Sequence, residues 1–151
     1  MSTSQTHDAS TLRANIPDSI PPDVPVVMVN LLRYHKQAQY PADSAWAKDS
    51  ISGIEAYQTR YVPTFRKLAT EAGGFEIVYL GIPQATLVGA LGFKDEGVDV
   101  DNWDTVGLIK YPSIEVFKRM VESDVYKETA LPHRNAGIAD WRLWVTTERQ
   151  I

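Results

Sequence analysis

The pattern of hydrophobic and polar residues divides the chain into segments of two periods, one typical of strands and the other of helices. Val24 to Leu32 is apolar on both alternating faces except at Asn30, which predicts a strand buried on both sides. Three further apolar stretches with turn residues at their ends predict strands at 75–83, 103–111 and 140–147, and residues 84–93 predict an extra strand or an extension of the second.

Two helices are predicted between these strands. In 53–72, apolar residues recur at steps of three and four, and Pro63 predicts a kink because it lacks a backbone donor. The segment 114–136 predicts a second helix, broken near Pro132. A serine precedes each segment at the position that caps free backbone amides, and glycine follows each.

The order strand, helix, two strands, helix, strand predicts an α+β fold, the ferredoxin-like βαββαβ plait, with an antiparallel sheet and helices on one face. We expect Val27, Val29 and Leu31 on the helix-covered face. The opposite face would then be too apolar to stand in water and would pair with the same face of a second copy. That face is predicted to carry Met28, Asn30, Leu32, Ile77, Tyr79, Thr105, Ile109, Tyr111, Arg142 and Trp144.

Two segments lie outside the plait. Residues 1–22 predict a polar arm, ordered only if it docks on the body or on a second subunit, and 23–151 predict one domain. Residues 34–52 form a long irregular connection that contains Tyr40 and Trp46, so they predict either a binding lid or a surface flap over exposed core.

The composition narrows the class of protein. The 151 residues are 44% hydrophobic and 23% charged, with a net charge of −4, which argues against a nucleic-acid or anionic-membrane partner. No apolar run approaches the roughly 20 residues that a membrane span needs, and no secretory signal opens the chain. With no cysteine, disulfides and thiolate chemistry are excluded, and a cytoplasmic location is expected.

Motifs for bound cofactors are missing from the sequence. No glycine-rich phosphate loop or serine-hydrolase elbow is present, and the histidines lack metal-ligand spacing, so no cofactor or metal is predicted. The acidic residues Asp99, Asp101 and Asp104 lack the remaining positions of a calcium loop and predict a solvated turn.

The strongest candidates for chemistry are His133 and Arg134, just before the last strand. Histidine is a general acid or base near neutral pH, and arginine binds a carboxylate, enolate or oxyanion. Alternatively, Arg134 pairs with Asp140 or a backbone carbonyl and His133 is a solvated loop residue. Tyr126 and Arg134 are two steps of four apart, so a continuous helix would point both to one place.

Several other polar or aromatic residues are candidates for a pocket. Asn30 interrupts an apolar strand, so its amide either binds a ligand or bonds to a neighbouring loop. Tyr79 is a candidate acid or hydrogen-bond donor to a carbonyl. The aromatic residues of the strands and first helix line the pocket or fill the core: Tyr57, Tyr61, Trp103 and Tyr111.

Short motifs across 24–147 resemble an uncharacterised bacterial family of the dimeric α/β-barrel superfamily. The motifs are NLLRY (Asn30–Tyr34), EAYQTRY (Glu55–Tyr61), WDTVGLIKYPS (Trp103–Ser113), FKRM (Phe117–Met120), SDVY (Ser123–Tyr126) and HRNAGIAD (His133–Asp140). The resemblance implies a homodimer with a pocket between sheet and helices in each subunit. Its relatives include cofactor-free monooxygenases, isomerases, cyclases, lyases and haem enzymes, and the family itself carries no agreed activity.

The sequence therefore predicts a small cofactor-independent enzyme, of lyase, isomerase or monooxygenase type, acting on an apolar molecule with a carbonyl or acidic group. His133 would move a proton, while Arg134, Asn30 and a tyrosine such as Tyr79 would hold the oxyanion. The alternatives are a non-catalytic homodimer that binds a small molecule and a haem-binding protein.

Overall fold

In the computed structural model, which describes residues 9–89, 94–95, 98–99 and 101–151, the chain has an α+β fold. Within these residues, four strands form one antiparallel sheet and two short strands form a separate ribbon. The strands are β1 (Val26–Tyr34), β2 (Glu76–Gly81), β3 (Lys94–Asp95), β4 (Val98–Asp99), β5 (Thr105–Tyr111) and β6 (Ile138–Thr146).

Helices connect the strands of the main sheet. They are α1 (Ala9–Ala14), α2 (Gly53–Ala56), α3 (Val62–Ala72), α4 (Ile114–Glu122) and α5 (Leu131–Gly137), with π-helical segments at Tyr57–Tyr61 and Tyr126–Ala130. In the part of the chain that the structure describes, no helix has the length and apolar character needed to cross a bilayer.

The ends of the first helix follow the predicted signals. The hydroxyl of Ser52 accepts a hydrogen bond from the backbone N–H of Glu55 at 3.1 Å, so one free amide of the first turn is satisfied. Gly73 and Gly74 have φ of 144° and 105°, a region that residues with a side chain rarely adopt. The helix therefore starts and ends where the sequence predicts.

Each proline within the helices follows a π-helical segment. The N–H of Val62 donates to the carbonyl of Tyr57, five residues back, and Pro63 then stands in the first turn of α3. Proline is tolerated in the first turn of a helix because backbone N–H groups in that turn have no partner within the helix. The N–H that proline lacks therefore costs no hydrogen bond there. Pro132 follows the segment Tyr126–Ala130 in the same way, so both predicted interruptions take the form of π-helical turns.

The strand order in the main sheet is β2-β5-β1-β6. The helices cover the face of β1 that carries Val26 and Met28, which are 0% and 2% exposed, while Val27 and Val29 are only partly buried. The predicted assignment of faces was therefore wrong for β1. Both faces of this strand are apolar, so the two-residue period did not distinguish them.

An irregularity in β2 changes which of its side chains face the helices. The register with β5 shifts between Ile77 and Tyr79, so Tyr79 lies opposite Leu108 and Leu80 lies opposite Gly107. A β-bulge of this kind reverses the alternation of side chains along the strand. Tyr79 consequently lies on the sheet face away from the helices, and 56% of it is exposed.

The strand predicted at 84–93 is not formed where it can be assessed. Residues 82–89 contain no strand, and 90–93 lie outside the described residues. The described part of the N-terminal arm, residues 9–22, docks on the body, because Leu12, Ile16 and Ile20 pack against the core and an ion pair joins Arg13 to Glu122. The arm is thus less polar in its contacts than predicted.

Two glycines allow three segments of backbone to meet beside the sheet. The N–H of Gly53 donates to the carbonyl of His35 at 3.0 Å, and the N–H of His35 donates to the carbonyl of Gly137 at 2.8 Å. A Cβ atom on Gly53 would overlap both carbonyl oxygens, so only glycine fits. This crossing holds the start of α2 against the end of α5.

Candidate ligand-binding cavity

A cavity of about 460 Å³ lies between the sheet and the helices. This volume is in the range of pockets that hold small molecules. Strands supply one wall, which includes Asn30, Leu32, Gly107, Ile109, Trp141 and Leu143. Helices and π-helical segments supply the other, which includes Tyr57, Tyr61, Phe65, Phe117, Tyr126 and Arg134. The lining is mostly apolar and aromatic, so its few polar groups determine what it can recognise.

Arg134 is the cationic group at the centre of this lining, and only 4% of the residue is exposed. Its guanidinium carbon lies 4.0 Å from the ring centroid of Trp141 and 5.3 Å from that of Tyr61. Burial acts to lower the pKa of Arg134, but the surrounding phenols, Tyr61 first, raise it above its ordinary value. The side chain therefore stays a guanidinium cation, stabilised in part by cation–π contacts.

Arg134 has no carboxylate partner among the described residues. Asp140, the partner considered from the sequence, pairs instead with Arg142 at 2.7 Å and with Arg33 at 3.5 Å. That alternative was therefore wrong. Buried charges in proteins are normally paired, so a guanidinium that faces a cavity without a described protein anion is chemically suited to bind an anion there.

The two π-helical segments bring tyrosines around Arg134. Tyr57 and Tyr61 begin and end the first segment, with their rings stacked 5.0 Å apart, and Tyr126 begins the second. The hydroxyls of Tyr61 and Tyr126 form a hydrogen bond of 3.0 Å. The guanidinium carbon of Arg134 lies 5.9 Å from the ring centroid of Tyr57. The arrangement that the sequence suggested for Tyr126 and Arg134 is present, although the helix between them is not regular.

These phenols stay protonated at neutral pH. Burial raises the pKa of Tyr57 to about 12, with Arg134 opposing the shift, and burial likewise raises the pKa of Tyr34 to about 12. Burial also holds the pKa values of Tyr61 and Tyr111 well above the ordinary value. The phenols therefore act as neutral hydrogen-bonding groups, and the positive charge of Arg134 is not neutralised by them.

Asn30 lines the cavity from the centre of β1. Its Nδ2 donates to the carbonyl of Met28 at 3.3 Å, within the same strand, so the amide does not bond to a neighbouring loop. On the adjacent strands, Asn30 lies opposite Gly107 and Leu143. The structure thus places this amide among apolar side chains and beside a position that carries no side chain.

His133 does not line the cavity, although it precedes Arg134 in the chain. Its Nδ1 lies 2.7 Å from the hydroxyl of Tyr40, and its ring packs 4.5 Å from that of Trp46. Burial, and secondly the charge of Arg60, lowers the pKa of His133, so it is neutral near pH 7. Consecutive helical residues point about 100° apart, so the structure does not bring this histidine and Arg134 into one site.

His133 is 7% exposed, so it is not the solvated loop residue considered as an alternative. Tyr40 and Trp46 of the long connection cover it, which makes residues 35–52 a flap over α5. Of the predicted 34–52 loop, Tyr34 lines the cavity. The Tyr34 hydroxyl lies 3.0 Å from that of Thr105.

Two other predicted site residues lie elsewhere. Tyr79 faces away from the cavity, for the reason given by the bulge in β2. Trp103 also lies outside the cavity lining, and its ring has the guanidinium carbons of Arg33 and Arg142 at 5.0 and 5.1 Å. Asn30, Tyr57, Tyr61, Tyr111, Tyr126 and Arg134 are the predicted residues that the structure brings together.

Sequence reasoning missed Trp141, whose ring lies closest to the guanidinium of Arg134. A signal was available, because Trp141 alternates with Leu143 on the face of β6 that lines the cavity. It also missed Gly107, which lines the cavity from β5. Among the described residues, no cluster of three histidine or acidic side chains has the arrangement of a metal site.

No protein-family model and no curated protein matches this chain. Among solved structures, it is similar to a protein of unknown function from Rhodopseudomonas palustris, with a TM-score of 0.70, 28% sequence identity, and coverage of 94% of this chain and 92% of that one. A methylated form of that protein gives a TM-score of 0.65 and 26% identity over 93% and 89% of the two chains. The similarity supports the α+β fold over nearly the whole chain, and neither protein's name states an activity.

Proposed function

We propose that this protein binds a small, largely apolar molecule that carries a carboxylate or an enolate, with Arg134 as the anchor for the negative charge. The observation that carries the proposal is the guanidinium itself, 4% exposed, on the wall of an apolar cavity and without a described carboxylate partner. An anionic ligand would supply the missing counter-charge, and hydrogen bonds between a guanidinium and a carboxylate are among the stronger ones in proteins.

Binding has more support than the acid–base enzyme expected from the sequence. The titratable groups in the cavity lining are tyrosines and arginines, with no histidine or carboxylate among the described lining residues. A general base near neutral pH is therefore absent from this part of the site. A haem has no histidine to hold it there either, since His35 and His133 do not line the cavity. Soret absorbance of the purified protein tests that alternative.

A catalytic role has one specific contact in its favour. The guanidinium carbon of Arg134 lies 5.9 Å from the ring centroid of Tyr57, so these two groups together could stabilise an oxyanion that develops on a bound carbonyl compound. The proton would then be removed by the solvent or by a second substrate rather than by His133.

Isothermal titration with cinnamate and its neutral isostere cinnamamide tests the anchor. The wild-type protein is expected to prefer the acid by about 10-fold or more, because a hydrogen bond to a charged group contributes roughly 1.5–3 kcal/mol. In Arg134→Met the preference should disappear. Arg149→Met makes the same change in net charge at an exposed position and should keep it. An unchanged preference in Arg134→Met would exclude Arg134 as the anchor.

We also propose that the chain is a ferredoxin-like plait that forms a homodimeric α/β barrel, as the resemblance to that superfamily implies. The strand order β2-β5-β1-β6 supports the plait. The open face of the sheet supports the dimer, although its β1 residues are those predicted for the helix-covered face. Its centre is apolar and comprises Val29, Leu31, Tyr79, Leu108 and Trp144, and large exposed apolar patches mark association surfaces.

The distribution of charge on the open face also suits a second copy of the chain. Arg33 and Arg142 lie toward one end of the apolar centre, and Lys110 lies opposite Glu76 on the neighbouring strand at the other end. A two-fold axis through the centre would bring apolar residues onto apolar residues, with the charged groups at the rim.

Matched substitutions test the dimer by analytical ultracentrifugation at low micromolar concentration. Trp144 and Val125 are equally exposed, at 52% each, but Val125 lies between α4 and the second π-helical segment, away from the sheet. Trp144→Arg should give monomers, since it would bury an unpaired charge at the interface, while Val125→Arg should stay dimeric. A monomeric wild-type protein, or a dimer unaffected by Trp144→Arg, would overturn the proposal.

A further inference from the structure

Asn30 presents an amide to the cavity at a distance from Arg134. Its Nδ2 makes one long hydrogen bond of 3.3 Å, to Met28, and no described residue bonds to its Oδ1. The neighbouring cavity residues on β1, Met28 and Leu32, are apolar. A partly buried amide oxygen without a partner costs stability unless a ligand or water satisfies it. Asn30 therefore has an acceptor available for a group on a bound molecule.

Gly107 leaves the space beside Asn30 open. The two residues are paired across β1 and β5. A Cβ atom on Gly107 would lie 3.8 Å from that of Asn30 and 3.3 Å from Cδ2 of Leu80. The backbone of Gly107 does not adopt a positive φ, so glycine is not required by its conformation. The absence of a side chain at Gly107 leaves room for a ligand atom to reach the amide of Asn30.

The sheet register sets the spacing between this amide and Arg134, the cationic anchor. Leu32, two residues beyond Asn30 on the same face, pairs with Trp141, whose ring lies under the guanidinium of Arg134. Two residues of a strand span roughly 7 Å. Aromatic side chains of Tyr61 and Phe65 form the wall opposite the sheet, so the space between the two polar points is apolar.

We infer that the ligand is an apolar, preferably aromatic, carboxylic acid with a hydroxyl or N–H group at its other end. The carboxylate binds Arg134, and the second group donates a hydrogen bond to Oδ1 of Asn30. This inference rests on the proposed function, because it takes Arg134 as the anchor, and it adds the recognition of a donor group at the far end.

The test uses para-hydroxycinnamate, cinnamate and cinnamamide, with affinities measured by titration calorimetry. In the wild-type protein the hydroxyl is expected to improve binding by about fivefold over cinnamate. In Asn30→Leu, which keeps a similar side-chain size, this gain should vanish while the preference for cinnamate over cinnamamide persists. Gly107→Val fills the space beside the amide, so it should weaken para-hydroxycinnamate more than cinnamate.

The outcomes separate the two proposals. An equal gain from the hydroxyl in wild type and Asn30→Leu, or no gain in wild type, overturns the role of Asn30 and leaves the anchor intact. If the wild-type protein does not prefer cinnamate over cinnamamide, the role of Arg134 as the anchor is overturned. No measurable binding of any of the three compounds overturns both. If Asn30→Leu does not fold, the comparison of acids in wild type and Gly107→Val still decides.

Discussion

Replacing Arg134 by methionine is expected to stabilise the ligand-free protein. Burying a guanidinium costs several kcal/mol after relaxation, and here no described carboxylate offsets that cost. The contacts that do offset it are those with the Trp141, Tyr61 and Tyr57 rings, at 4.0, 5.3 and 5.9 Å. Cation–π contacts contribute about 0.5–2 kcal/mol each, so the balance still favours an apolar side chain.

The size of the gain follows from this balance. Replacement of buried charged groups by well-packed apolar ones of similar volume stabilises proteins by about 1–4 kcal/mol, and we expect about 2 kcal/mol here. For a chain of 151 residues, a change of this size raises the Tm by roughly 4–8 °C. The same variant should lose the binding of carboxylates, so stability and function would change in opposite directions.

Calorimetric and denaturant unfolding measure this effect. All variants are compared at one protein concentration, since the proposed dimer would make the Tm depend on concentration. Arg149→Met, with the same loss of charge at an exposed position, should shift the stability by no more than about 0.5 kcal/mol. Cinnamate should raise the Tm of the wild type but not that of Arg134→Met.

The opposite result would refute the reasoning. If Arg134→Met lowers the free energy of unfolding by more than about 2 kcal/mol, the protein itself balances the charge, as it does for a paired buried residue. Arg134 would then be a structural residue, and the absence of a partner would carry no information about a ligand.

Three further predictions concern titration and packing. Burial lowers the folded-state pKa of His133, so its contribution to stability is present above pH 6.5 and is lost as the pH falls. The free energy of unfolding should therefore decrease less steeply with falling pH in His133→Gln than in wild type. An unchanged dependence on pH would contradict this. Tyr34 and Tyr57 have pKa values raised to about 12, so their contribution to stability should be constant below pH 10 and be lost between pH 10 and 12. The free energy of unfolding should therefore fall less steeply over this range in Tyr57→Phe than in wild type, and an unchanged alkaline profile would contradict this. Gly53→Ala should lower the free energy of unfolding by about 3 kcal/mol, since its Cβ would overlap the carbonyl of His35. A free energy of unfolding within about 1 kcal/mol of wild type, measured with denaturant, would show that the backbone segments move apart with little loss of stability.

Local structure followed from the sequence because it depends on neighbouring residues. Ser52 and Ser113 both cap helices by accepting from the N–H three residues later, and Gly73 takes the positive φ that ends α3. The order of strands and helices is likewise a property of the hydrophobic period. These features can be predicted without knowing which helices and strands contact each other.

The choice between the two faces of β1 could not be made in this way. Val27 and Val29 are as hydrophobic as Val26 and Met28, and only contact with the helices distinguishes them. Tyr79 was predicted on the same face as Ile77, and the structure places the two residues on opposite faces. A bulge adds one residue to the strand and reverses the faces beyond it, and this depends on the pairing with β5.

The amino-acid sequence by itself determined that an α+β fold with an antiparallel sheet would form and that Arg134 and the tyrosines near it were candidates for a site. Only the tertiary structure decided that Arg134 enters the cavity while His133 lies beneath Tyr40 and Trp46. Adjacent residues on a helix point in different directions. Which direction leads to a cavity depends on how α5 packs on the sheet, and that packing is set by contacts between residues far apart in the chain.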